Sequence, residues 1–563
     1  LKYYFLLIFT FIYSYSFSQK KYPRNYFSPP MDIPVVVAGT FGELRSNHFH
    51  SGIDLKTQKK EGIPIKATAD GYISRIKIVQ YGYGKALYVN HPNGYTTVYA
   101  HLQRFAPKIQ EYVRKTQYQR EKGNIGNLFP KPEQFVVKKG EIIAYSGDTG
   151  SSGGPHLHYE IRDTKTENII NPMLFGLQAD DTKKPIIKGL KVFAIDNSSR
   201  INNSNNSSLI PIRELDNGNY VAERINASGT IGLGVFVYDH QNAAMNKNGI
   251  YSLEMNVNGK RVYYHDVETF SFAESKYINL LIDYEHYNTY RDRFQKTHKV
   301  ENNKLSLYED LIDNGKININ AYQNYNVEII AKDFNGNATA LRIPIKGVPS
   351  NTMFSQKDTT NYKIIAKDFH KFELENVSVA FPKNTFYHDC FIDFSFENGI
   401  VKLHEPTIPL DKKFTLTFTT NHLSEIQKQQ VYIANVTKEK YPKYVTTKKK
   451  DDKVFTNQKT LGSYTLLFDD KKPEITLINF AEGRWLTNNE TLKVKIEDKE
   501  SGIDEYRATI DNEWVLMEYN HKKGILTYDF SDKKLVGSKH IFKLVVSDNV
   551  GNTETISTTF YRK

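Results

Sequence analysis

Gly153-Gly154-Pro155-His156-Leu157-His158-Tyr159-Glu160-Ile161 constrains this chain more than any other stretch. A Gly/Pro turn leads straight into a run that alternates polar and apolar side chains. That period belongs to a strand, whose successive side chains point to opposite faces. Leu157, Tyr159 and Ile161 share one face and can pack into a core. His156, His158 and Glu160 share the other and can line an open cleft. Neutral imidazole is the commonest biological metal ligand. This strand therefore offers half of a metal site, and the rest of the chain must offer the other half.

The β-type reading extends over most of the sequence. A length of 563 residues implies three or four domains at roughly 100–200 residues each. Tyr and Phe are abundant, and Thr- and Val-rich runs are broken by Asn, Asp and Gly. Both traits favour strands and turns, so the expected fold class is all-β. Residues 35–176 read as short strands between Gly-rich turns. Asn93-Gly94 predicts a two-residue hairpin loop. The strand that follows, Tyr95 to His101, places His101 on the face of Tyr95, Thr97 and Tyr99. One helix is expected, from Pro107 at a first helical position to about Glu121, with Ile109, Tyr112 and Val113 at i, i+3, i+4 spacing. Residues 123–135 then read as a Pro/Gly loop.

Beyond Gly176 the chain repeats itself. Asp180-Asp181-Thr182-Lys183-Lys184-Pro185 resembles Asp469-Asp470-Lys471-Lys472-Pro473, and each unit closes with Asp-x-x-Gly-Asn, at Asp333–Asn337 and Asp548–Asn552. Residues 180–346 and 468–563 read as immunoglobulin-like β-sandwiches, the first with an insertion around Tyr284–Asp313. Residues 347–467 read as a β-rich domain without a partner in the repeat. Asp-x-x-Gly-Asn reads as a tight turn before a last strand, with calcium ligation the less favoured alternative. Trp485, Trp514 and Cys390 are expected in cores.

The N-terminus reads as a signal peptide over residues 1–18. Lys2 precedes an apolar run, Tyr3–Tyr15, and Ser16-Phe17-Ser18 sets small residues before Gln19. The run is short for a membrane span of about 20 residues, and no Cys stands nearby for lipid attachment. Leu1 in place of Met leaves an alternative start open. Residues 19–34 form an N-terminal arm. The single cysteine excludes an intramolecular disulfide. The net charge of +12 is spread along the chain without a compact basic motif, so no nucleic-acid partner is expected.

The other half of the site lies upstream, in His50-Ser51-Gly52-Ile53-Asp54-Leu55. Gly52 and the alternation after it describe a turn entering a strand, with Asp54 facing the cleft. His50, Asp54 and one of the two later histidines make a two-His, one-carboxylate set. Three protein ligands and an open position suit a catalytic zinc, whereas a structural zinc would want four ligands, usually including Cys. His48 and His91 read as supporting or surface residues.

Taken in order, these motifs resemble the lysostaphin-type, LytM-like zinc metallopeptidases, which cleave peptides of bacterial cell walls. The matching text runs through Phe41–Arg45, His50–Asp54, Ala69–Gly71, Tyr99–Leu102, Val137–Ala144, Gly147–Gly150 and Gly154–Glu160 to Asn171-Pro172. The resemblance implies that His50, Asp54 and His158 hold one zinc ion and that His101 and His156 are the catalytic pair beside it. It leaves open which of the two moves the proton and which bonds the oxyanion. Arg45 matches an arginine near the family's groove and is expected to pair with a substrate carboxylate. The family usually has a shorter connection between His101 and Val136. Residues 103–134 are therefore an insertion that walls or covers the groove. The resulting expectation is an exported protein of the periplasm, envelope or medium that cleaves peptidoglycan peptides. Two alternatives stand beside it. One is a non-catalytic envelope protein that binds wall peptides or activates a partner hydrolase. The other is a surface adhesin built on the sandwich repeats. The oligomeric state is not legible.

Overall fold

A computed structural model describes residues 22–349, 359–438 and 440–563; the expected signal peptide lies outside them. In chain order the first part comprises β1 (Val37–Gly39), β2 (Ile53–Lys56), β3 (Pro64–Lys66), β4 (Gly71–Ile78), β5 (Lys85–Asn90), β6 (Tyr95–Ala100) and β7 (Leu102–Phe105). Then come α1 (Pro107–Arg120), β8 (Gly126–Leu128), β9 (Val136–Val137), β10 (Ile142–Ser146), β11 (His156–Asp163) and β12 (Ile169–Ile170). The main sheet is ordered β1-β2-β11-β6-β5-β4-β8, and β3-β10-β7 form a second, three-stranded sheet.

The alternation along β11 sorts its side chains as expected. Leu157, Tyr159 and Ile161 are buried in the core between the sheets, with Leu55, Tyr99 and Ile143. Fully burying one such side chain contributes roughly 1.5–3 kcal/mol. The Tyr99 hydroxyl receives the Thr68 backbone N–H at 3.0 Å, which satisfies a polar tip inside that core. On the other face the antiparallel register sets His158 opposite Asp54 of β2 and Ala100 of β6.

Three local expectations are corrected. The fold is β-rich but not all-β, because α1 is a 14-residue helix and several short helices accompany it. Helix α1 starts at Pro107 as expected and ends where Glu121 turns left-handed. The hairpin at Asn93-Gly94 is longer than two residues. Pro92 has no N–H to close a two-residue loop on the Tyr95 carbonyl, and the His91 N–H bonds that carbonyl at 2.9 Å. The chain instead turns over residues 91–94, with the Gly94 N–H on the His91 carbonyl and Gly94 left-handed. Residues 123–135 are not all loop, since β8 adds to the far edge of the main sheet beside β4.

Behind the peptidase-like part, three further β-units have their own cores, centred on residues 187–345, 364–464 and 480–560. The first of them is not separate from what precedes it. Strand Thr269–Phe270 pairs with β12 and extends the main sheet, and Phe270, Tyr277, Ile278 and Leu281 belong to the first core. Phe270 packs on Phe41 and Phe49 at 4.9 and 5.3 Å between ring centres. These residues precede the insertion expected around Tyr284–Asp313, which itself contributes Leu305 and Leu307 to the same core.

The last unit, two sheets of four and five strands, also meets the first. Tyr118 of α1 meets Trp514 edge-on at 5.2 Å, and Arg114 pairs with Asp532 at 2.7 Å. Trp514 therefore serves a domain contact. Trp485 lies 55% exposed against Tyr561, and Cys390 is only half-buried. Neither matches the expected core role.

Candidate metal centre and active site

Three side chains converge between β2 and β11. His50 Nε2 lies 3.0 Å from Asp54 Oδ1 and 3.1 Å from His158 Nδ1, and His158 Nδ1 lies 3.0 Å from the same carboxylate oxygen. Hydrogen bonds behind the rings decide what faces inward. The far nitrogen of His50 donates to the Thr40 carbonyl at 2.8 Å, and that of His158 donates to Glu160 Oε1 at 2.9 Å. Two imidazole nitrogens and a carboxylate oxygen are left pointing at one another. Zinc bonds of about 2.0–2.1 Å at tetrahedral angles separate such ligands by about 3.3–3.4 Å. The observed triangle is close to that, so the donor set fits one zinc ion. Without a cation, a proton must fill the gap. Burial disfavours a charged His158, but hydrogen bonds to Asp54 and Glu160 outweigh it and raise this histidine to about 9. Binding of a metal displaces that proton.

Two more histidines complete the cluster. His156 stands at the start of β11, with Nδ1 on the Gly154 carbonyl at 2.8 Å and Nε2 3.4 Å from Asp54 Oδ1. His101 has Nδ1 on the Thr149 carbonyl at 2.8 Å. The two rings lie 4.8 Å apart. His101 is not on the face predicted for it. Strict alternation would aim it with Tyr99 into the core. The strand instead ends at Ala100, and a left-handed φ of 59° at His101 swings the ring to the metal-facing side. A non-glycine residue there is uncommon, and such strain concentrates at functional sites. Burial, then the charges of His158 and His156, pushes His101 down to about 3. Its free Nε2 is thus an unprotonated acceptor at neutral pH.

The remaining expected residues sort plainly. Arg45 is occupied within the chain, 3.3 Å from Asp54 Oδ2 and 3.2 Å from Glu43, so it holds the outer oxygen of Asp54. His48 is exposed, bonded to the Ser46 carbonyl. His91 is buried between the Asp70 carbonyl and Thr97 and stays away from the cluster.

Glu160, which the alternation placed on the cleft face, instead forms a charged layer beneath His158 with Ser51, Tyr83 and Arg162, which were not singled out in the sequence. Glu160 is fully buried. It takes hydrogen bonds from Ser51 at 2.6 Å, Tyr83 at 2.5 Å and Arg162 at 2.7 Å. Burial would raise its carboxyl, but Arg162 and His158 outweigh that and hold it well below the usual carboxylate range. A carboxylate behind a ligating histidine fixes its tautomer and strengthens it as a donor. The signal was the same alternation, His-x-His-x-Glu-x-Arg, carried two positions further.

Gly52 shows why the first motif holds a glycine. A Cβ there would lie 2.4 Å from the Tyr159 carbonyl oxygen and 3.0 Å from His158 Nε2. Gly52→Ala is expected to displace β11 from β2, with a loss of about 1–3 kcal/mol and reduced zinc occupancy. Thermal unfolding and metal content of the purified variant check this.

The cluster is open to substrate. Asp54 and His156 retain 14% and 17% of their side-chain surface. Strand β8 of the insertion lies three strands away from β6, while Gln117, Gly123 and Asn124 border the cavity between Thr149 and the last unit. A hairpin of that last unit approaches the His101 wall. Lys522 pairs with Asp148 at 2.8 Å, next to Thr149, and His521 packs on Tyr81.

Sequence comparison agrees with this geometry. The family description "Peptidase family M23" matches residues 48–127 and 124–172, and a Zu5-like domain matches 361–469. Residues 48–172 form an M23 peptidase domain. Among curated relatives, the DD-carboxypeptidase/endopeptidase Mpg of Neisseria meningitidis serogroup B is 37% identical over 119 residues, 21% of either chain. The peptidoglycan DD-endopeptidase ShyC of Vibrio cholerae is 34% identical over 99 residues, 18% of this chain and 17% of that one. The catalytic domain of the M23 protein EnpA from Enterococcus faecalis is 25% identical and covers 27% of this chain and 98% of its own, with a TM-score of 0.20. The chain spans about a fifth of the length of the curated relatives it matches.

Proposed function

We propose that this protein is an exported zinc metalloendopeptidase that cleaves peptide cross-links of bacterial peptidoglycan. The observation that carries the reading is the triangle of His50, Asp54 and His158, whose outward hydrogen bonds leave two imidazole nitrogens and a carboxylate oxygen facing one another, with two further histidines beside it. The names of the matched relatives, a DD-carboxypeptidase/endopeptidase and a peptidoglycan DD-endopeptidase, support a DD-peptide bond as the target.

His50, Asp54 and His158 hold the zinc, and Arg45 and Glu160 hold Asp54 and His158 in turn. Zinc bound there supplies Lewis acidity, which polarises the scissile carbonyl and acidifies water. His101 and His156 each have Nδ1 fixed on a backbone carbonyl, which turns Nε2 towards the cluster, that of His156 lying 3.4 Å from Asp54 Oδ1. Either can accept a proton from water and pass it to the leaving amine, while the other stabilises the developing oxyanion. The β-units that follow, immunoglobulin-like at 180–346 and 468–563, brace this domain and place it at the envelope.

His101→Ala and His156→Ala test the division between binding and chemistry. Each variant is expected to keep one zinc per chain and to lose about 10²–10⁴-fold in cleavage of purified cross-linked muropeptides. Loss of zinc in either variant would move that residue into the ligand set. Unchanged cleavage in both would remove them from the mechanism.

A further inference from the structure

The two Asp-x-x-Gly-Asn repeats share one hydrogen-bond scheme. Asp333 accepts from the Asn337 backbone and side chain, and the Asn337 amide donates to the Asp181 carbonyl. Asp548, Asn552 and Asp469 repeat it in the last unit. Each turn carries an acidic cluster: Asp181, Asp239 and Asp333 in the first unit, Asp469, Asp498 and Glu500 in the last, each with ligand-type atoms within 4.8 Å of one another.

The clusters differ in how their charge is met. In the last unit Lys471 pairs with Glu500, Asp469 accepts the Lys471 and Ser501 backbone N–H groups, and Asp498 accepts that of Gly502. In the first unit Asp181 likewise accepts the Lys183 backbone N–H, but the matching position to Glu500 is Gln241, and the Lys183 ammonium reaches its backbone carbonyl rather than a carboxylate. Asp181, Asp239 and Asp333 are 8%, 2% and 5% exposed, and no ion pair reaches them among the described residues. Asp239 Oδ1 is buried with no hydrogen-bond partner. It belongs to a cavity of about 30 Å³ whose polar wall includes the three aspartates with Thr40, Asn171 and Gln241, and whose other wall is apolar, with Phe41, Ile53 and Val267 among its residues. That is room for one water-sized occupant.

We propose that Asp181, Asp239 and Asp333 form an all-oxygen site for one calcium-class divalent cation, in the buried seam between the M23 domain and the first β-unit. Three buried carboxylates without a cation repel one another in a low-dielectric setting. Oxygen donors select a hard cation over zinc. Magnesium keeps several waters, and the cavity has no room for them. The site also has a consequence for the active centre. Thr40, on its wall, bonds Gly249 of the β-unit through its hydroxyl and holds His50 through its carbonyl. A cation in the seam fixes the strand end that orients a zinc ligand.

The test uses the full chain, stripped of metal and reloaded with one equivalent of zinc, then titrated with Ca²⁺ to about 10 mM, the range of extracellular calcium modules. Equilibrium dialysis is expected to show one Ca²⁺ per chain, and the melting temperature is expected to rise by roughly 3–5 °C at saturation. Asp239→Asn and Asp181→Asn should each lose the bound ion and the rise. Asp239→Asn should also melt no lower than wild type in calcium-free buffer, because one of three repelling charges is gone. Asp498→Asn, in the last unit, should retain the rise. Absence of both bound Ca²⁺ and a thermal shift in the wild type overturns the proposal. So does a rise that survives in Asp239→Asn and Asp181→Asn, or one that disappears only in Asp498→Asn. None of these readouts depends on peptidase activity.

Discussion

His50→Ala is expected to lose its zinc and its peptidase activity together. The variant removes one corner of the triangle and leaves Asp54 Oδ1 and His158 Nδ1, 3.0 Å apart, to bind metal alone. Two ligands do not hold zinc against the three of a catalytic site. Zinc content should fall from one per chain to near none in buffer without added metal. The Lewis-acid contribution of several kcal/mol goes with it, so kcat/KM should fall by at least about 10³-fold. The fold should persist. The change forfeits one hydrogen bond to Thr40 and some packing, about 1–2 kcal/mol, and circular dichroism should match wild type. A variant that is folded, metal-free and inactive supports the assignment. A variant that retains one tightly held zinc contradicts it.

Glu160→Gln should show the largest effect on stability. The substitution keeps the shape and removes the charge. Arg162, itself 3% exposed, is then left with only the half-exposed Glu167, at 3.3 Å, as counter-ion, so the cost approaches the about 3–5 kcal/mol of breaking a buried pair. The same change replaces the charged acceptor of His158 Nε2–H by a neutral amide oxygen, and weakening such a partner lowers metal affinity by roughly 10–100-fold. Thermal unfolding and zinc titration read the two effects separately. The double variant Glu160→Gln/Arg162→Met removes both charges. It should recover much of the stability and none of the zinc affinity. Recovery of both would mean that Glu160 acts only through Arg162, and recovery of neither would mean that the layer matters mainly for packing.

The residues that were legible in the sequence are those whose placement follows from local period. Alternation along β11 and β2 is a two-residue pattern, and the sheet obeys it, so His158 and Asp54 meet across neighbouring strands. Helix α1 was legible from Pro107 and the spacing of its apolar face. His101 was misplaced because one left-handed residue resets the alternation, and a histidine does not announce that conformation. The hairpin before β6 was misread because Pro92 vetoes the turn that Asn93-Gly94 invites. What escaped altogether were partnerships across long chain separations. Tyr83 and Ser51 reach Glu160 from 77 and 109 residues away. Phe270 enters a core built mostly from residues before position 180. Arg45 had the right neighbourhood and a different partner, since nothing in its own segment reveals that Asp54 Oδ2 lies within reach.

The central claim is that this open zinc-binding cluster hydrolyses wall peptides. Digestion of purified peptidoglycan sacculi by the full chain tests it most directly, with zinc content measured on the same sample. The account predicts one zinc per chain, release of new primary amino groups, and loss of cross-linked muropeptides. It also predicts that all cleavage stops on chelation and returns on adding zinc. A zinc-loaded protein that binds sacculi and leaves their cross-links intact would contradict it.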